Sequence, residues 1–91
     1  MSMRLVTYKP VNEANKKAIR NEIKAYKNWR EIGESVYAVV TDESPKRIYA
    51  RLKKFIDEND KLYIINLTQP AAGTGPDKTN DWLRDNLPSG R

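Results

Sequence analysis

The sequence predicts an α+β fold: a four-stranded antiparallel sheet, two helices on one of its faces, and a short helix appended at the C-terminus. Three observations predict it. Ser35-Val36-Tyr37-Ala38-Val39-Val40-Thr41 is rich in β-branched and aromatic residues and reads as a central, buried strand. Asn12 and Ser44-Pro45 each stand as a cap signal before a run with helical apolar spacing. Lys61-Leu62-Tyr63-Ile64-Ile65-Asn66-Leu67 is a further β-prone run after the second helix.

Taken in chain order, Arg4-Leu5-Val6-Thr7-Tyr8 is the first strand, ended by Lys9-Pro10. Asn12 caps a helix running to about Tyr26, on which Ile19, Ile23 and Tyr26 share a face. Trp29-Arg30-Glu31-Ile32 is a second strand, with Gly33-Glu34 as the turn into the third. Asp42-Glu43 precede the second helix as acids favoured at the positive end of its dipole. Ile48, Leu52 and Phe55 repeat at helical spacing, and Asp57-Glu58-Asn59-Asp60 ends the helix. The order is β-α-β-β-α-β, the split βαβ or ferredoxin-like plait, over residues 1–67. Residues 68–91 form an appendix: a loop of Pro, Gly, Ala and Thr, then a short helix over Thr79–Leu87. Trp82, Leu83 and Leu87 would pin that helix to the body or to a second subunit.

Composition narrows the chemistry. The 91 residues make one domain with a modest core, 38% of them hydrophobic. No run approaches the ~20 apolar residues of a membrane span. With no cysteine and no secretory signal, the expected location is cytoplasmic. The absence of His and Cys excludes Ser-His and Cys-His nucleophilic catalysis and the usual zinc sites. No cofactor motif occurs. Gly73-Thr74-Gly75-Pro76 lacks the spacing and the Lys-Ser/Thr pair of a phosphate loop and reads as a linker.

The net charge of +5 is concentrated in the first third, where residues 1–30 hold eight Lys and Arg against two Glu. On the first helix Lys16, Lys17, Arg20, Lys24 and Lys27 fall within a wedge about 100° wide beside the apolar face. With Lys9 at the end of the first strand, they are the candidate nucleic-acid-binding residues. The cations of the second helix, Arg47, Arg51 and Lys54 among them, read as a solvated face, and Tyr8, Tyr37 and Tyr63 as core or dimer packing.

Strand one, Trp29, Glu34-Ser35-Val36-Tyr37-Ala38-Val39-Val40, Ser44-Pro45 and Asn59-Asp60-Lys61-Leu62-Tyr63-Ile64-Ile65 together resemble the Cas2-like family of small ferredoxin-like proteins. The family includes the CRISPR-associated Cas2 proteins and the VapD-type ribonucleases, and the chain is most similar to a phage and bacterial branch. The resemblance covers roughly residues 3–67. It implies a homodimer in contact with nucleic acid, DNA or RNA, or with a nucleic-acid-processing protein. It also implies a metal-binding acid just after the first strand's tyrosine, where this chain has Lys9. Lysine cannot ligate Mg²⁺. The expectation is therefore a non-catalytic homodimeric module with no catalytic or metal-ligating residue, which binds nucleic acid through the first helix. The alternatives are a phage-type modulator docking on a host protein and a metal-dependent nuclease using other acids such as Glu13, Asp42 and Glu43. An uncovered sheet face is an independent reason to expect self-association.

Overall fold

A computed structural model describes residues 2–89. Its elements are β1 (Met3–Lys9), α1 (Glu13–Lys24), β2 (Trp29–Gly33), β3 (Val36–Val40), α2 (Pro45–Leu52), a 3-10 turn over Lys53–Phe55, β4 (Lys61–Leu67) and α3 (Asp77–Asn86). The α+β expectation holds: four antiparallel strands and three helices, with the strands in the order β2-β3-β1-β4.

Local chemistry sets the helix ends. The Asn12 side chain accepts hydrogen bonds from the N–H groups of Ala14 (2.7 Å) and Asn15 (3.3 Å), satisfying two donors that the first turn of α1 leaves free. Ser44 does the same for Arg47 at 3.1 Å, and Pro45 opens α2. Both helices end sooner than their apolar spacing predicts. α1 stops at Lys24, and Tyr26 follows in the loop, where its ring still packs on the core. α2 tightens into the 3-10 turn after Leu52, which lets Phe55 and Ile56 fold back over the core edge.

The core forms on one face of the sheet. Val6 and Tyr8 of β1, Tyr37 and Val39 of β3 and Leu62 of β4 cluster with Ile19 and Ile23 of α1 and Ile48 and Leu52 of α2. The strand register places these residues side by side, with Val6 opposite both Tyr37 and Ile64. The β2–β3 turn sits one residue later than expected. Gly33 stays in β2 beside a register shift, and Ser35 carries the positive φ of 60° at the turn. The Ser35 carbonyl accepts the Tyr8 N–H at 3.1 Å, which ties the turn to β1.

The opposite face is covered at one end. Met3 and Ala38 point away from α1 and α2 and are nevertheless fully buried. There α3 lies against β2. The Arg30 guanidinium donates twice to the Thr79 hydroxyl (3.2 and 3.1 Å), and the Trp82 indole N–H donates to Asn28 Oδ1 at 2.9 Å. Asn28 also donates to Asn86 Oδ1 at 2.9 Å. Trp82 thus pins the tail helix within its own chain. The other end of this face, around Tyr63 and Ile65, is open. No described helix is long and apolar enough to cross a membrane.

Candidate functional site

The six cations singled out by the sequence divide into two sets. Lys16, Arg20 and Lys24 lie four residues apart along α1, on the flank turned toward β2 and β3. Lys16 Nζ is 3.5 Å from Glu34 Oε1, and Lys24 Nζ stands 5.6 Å from the centre of the Trp29 ring. Arg20 acts electrostatically on Tyr8 and Tyr37. Lys16 and Lys24 thus link α1 to the β2–β3 hairpin as well as carrying charge. Lys9, Lys17 and Lys27 are exposed, and among the described residues none of them forms an ion pair. Lys27 lies beyond the end of α1, so the helix itself does not hold it in the wedge.

Lys9 is the last residue of β1 and faces Lys61 across the β1–β4 ladder. Like charges directly opposite each other on neighbouring strands repel. The strand end where the resemblance implies a carboxylate therefore carries two cations.

The rings of Tyr8 and Tyr37 stack, with centroids 6.2 Å apart and planes 14° from parallel. The Tyr37 hydroxyl donates to Glu31 Oε2 at 3.3 Å. Burial, followed by the neighbouring Tyr37, pushes the Tyr8 hydroxyl up to about 12. Tyr26 is likewise pushed up to about 12, by burial and then by its hydrogen bond to Glu43. Ultraviolet titration should therefore find two tyrosines ionising near pH 12 instead of near the ordinary 10. Because these folded-state values are raised, their contribution to stability is complete below about pH 10. It is lost as the pH rises toward about 12. Phe replacements at positions 8 and 26 should each remove one late-ionising group.

The structure also assembles a polar cluster that sequence reasoning missed. Glu43 Oε2 accepts from Arg51 at 2.6 Å, and Glu43 Oε1 accepts from the Tyr26 hydroxyl at 2.5 Å. Arg51 also hydrogen-bonds the Tyr26 hydroxyl and lies 5.4 Å from the centre of its ring. Arg4 Nε donates to the Glu43 carbonyl at 2.9 Å. An open groove of about 490 Å³ runs beside the cluster, lined by Glu22, Ala25, Tyr26, Thr41, Glu43 and Arg51. Hydrogen bonds from Arg51 and then Tyr26 hold the Glu43 carboxyl below its ordinary range. Glu43 stands just before the Ser44 cap and is in addition committed to Arg51 and Tyr26, and Arg51 is not part of a freely solvated face. The only sequence signal for the cluster is that Arg51 adjoins the buried Leu52 and follows Ile48 by three residues, on the edge of the apolar stripe.

Glu13 lies on α1, whereas Asp42 and Glu43 lie between β3 and α2, and Glu43 is already committed to Arg51 and Tyr26. Among the described residues no group of three or more acidic side chains is placed to hold a metal ion. Of the three strand tyrosines, Tyr8 and Tyr37 are core residues and Tyr63 stands exposed. No family model matches this chain, and no curated protein matches it in sequence.

Proposed function

We propose that the chain is a non-catalytic, homodimeric, Cas2-like module that binds nucleic acid through the basic side of α1 and the end of β1. The observation that carries this reading is the group of exposed cations Lys9, Lys17 and Lys27, which no acid of the described chain neutralises. The chain order β-α-β-β-α-β and the sheet order β2-β3-β1-β4 support a ferredoxin-like plait as its frame. Lys9 opposite Lys61, and Glu43 tied to Arg51, weigh against the nuclease alternative.

The test is fluorescence anisotropy on labelled duplex DNA and single-stranded RNA over a salt series. It compares the wild type with a variant carrying Lys9→Gln, Lys17→Gln and Lys27→Gln. These positions avoid Lys16 and Lys24, whose replacement would also remove the contacts with Glu34 and Trp29. Each lost phosphate contact should flatten the logarithmic salt slope by about 0.9 on duplex DNA and about 0.7 on single strands. Binding should weaken about tenfold, equally across sequences, because phosphate contacts carry no sequence information. Unchanged affinity and slope in the triple variant would remove the assignment of this surface.

A further inference from the structure

The two edges of the sheet differ. At one edge β2 carries a register shift between Glu31 and Gly33, and α3 lies against it through Arg30 and Asn28. The register shift disfavours further strand pairing at this edge. At the other edge β4 runs seven residues in unbroken register with β1, and no described strand pairs with its outer side. Beside that edge, on the face away from α1 and α2, Tyr63 is 61% exposed and Ile65 51% exposed. An unblocked edge flanked by exposed apolar side chains is a template for another strand.

We propose that a second copy of the chain docks here, β4 against the partner's β4, antiparallel, to form one continuous eight-stranded sheet. The inference rests on the homodimer reading above and specifies its interface. A two-fold axis perpendicular to the sheet keeps the helices of both copies on the same side. Opposite residues must then point to the same face, so the axis passes through a residue and not between two. Only an axis at Ile64 pairs all seven residues of Lys61–Leu67. In that register Tyr63 faces the partner's Ile65, and Ile65 faces the partner's Tyr63. Lys61 faces the partner's Leu67, so no like charges meet across the seam. The apolar strips of the two copies become one patch shared across the seam.

The chain contains no cysteine, so introduced thiols report only on each other. The experiment mixes the single variants Tyr63→Cys and Ile65→Cys under mild oxidation, after light scattering has measured the mass of the wild type. Directly opposite residues have Cα atoms about 4.5–5.5 Å apart. That lies within the ~4.4–6.8 Å a disulfide spans. Two copies of the same variant place their thiols a further ~7 Å along the strand, out of reach. The expected result is a dimeric wild type and about tenfold more cross-linked dimer in the mixture than in either variant alone. A dimeric wild type whose mixture does not cross-link overturns this interface and leaves the homodimer standing. A wild type that stays monomeric overturns both. A monomer in which a single-stranded oligonucleotide protects the thiol of the Tyr63→Cys variant from alkylation would assign the strip to nucleic acid instead.

Discussion

Leu52→Ala should destabilise the fold by about 3 kcal/mol, within the ~2–5 kcal/mol range of buried leucine truncations. Leu52 is 1% exposed and sits where α2 meets the rest of the core, beside Ile48 and Leu62. It is the last residue of α2, so the 3-10 turn that follows fixes its position and hinders collapse of the cavity. The whole stability of a chain this size is roughly 5–14 kcal/mol. The loss is therefore a large share of it, and the melting temperature should fall by roughly 10–25 °C. Thermal and urea unfolding measure both quantities. The exposed neighbour Lys53→Ala should change stability by no more than about 0.5 kcal/mol. If the two variants melt alike, the core has been misplaced.

Glu43→Gln should cost about 1–1.5 kcal/mol at neutral pH. Hydrogen bonds to charged groups contribute about 1.5–3 kcal/mol, and fully exposed ion pairs only ~0.2–1. The Glu43 and Arg51 side chains are 24% and 34% exposed, which puts the pair between those limits. Removing the negative charge leaves the Arg51 guanidinium half-buried beside Tyr26 without a counter-ion. The pH dependence has a definite sign. The Glu43 carboxyl is held below its ordinary value in the fold, so the unfolded chain takes up the proton first. Its stabilisation is complete above the unfolded value of about 4.3 and is lost as the pH falls through the lower folded value. Unfolding free energies of the wild type and the Gln variant should therefore be well separated at pH 7 and converge in acid. Parallel curves down to the acid limit would show that Glu43 carries no linked proton.

Much of the frame was legible because it depends on local chemistry. The caps at Asn12 and Ser44, the strand β4 and the apolar spacing of Ile19, Ile23, Ile48 and Leu52 are each written within a few residues. The discrepancies arise where a distant partner decides. Gly33 looks like the turn residue, but the pairing of Val36 with Thr7 and Tyr37 with Val6 places the turn later and puts the positive φ on Ser35. The cationic wedge describes a helical angle for Lys16, Lys17, Arg20 and Lys24, while Lys27 lies beyond α1. Which of its members are free depends on Glu34 and Trp29, brought alongside by the sheet. The tie of Glu43 to Tyr26 is not legible, because Tyr26 lies 17 residues before it and no short-range pattern joins them. Tyr8, Tyr37 and Tyr63 are alike as strand residues. Alternation puts the first two on the helix face and Tyr63 on the other, beyond the end that α3 covers.

The tail helix is tied to Asn28 across 54 residues by Trp82 and across 58 by Asn86, and to Arg30 across 49 by Thr79. Contacts of such long sequence separation must overcome the entropy of closing a long loop before they stabilise anything. All three ties end on Asn28, at the boundary of β2, or on Arg30 within it, and these offer fixed partners only after β2 has paired with β3. Docking of α3 therefore depends on a hairpin that is already formed. The tail helix is thus the part that can come away locally while the sheet and its two other helices keep their own contacts.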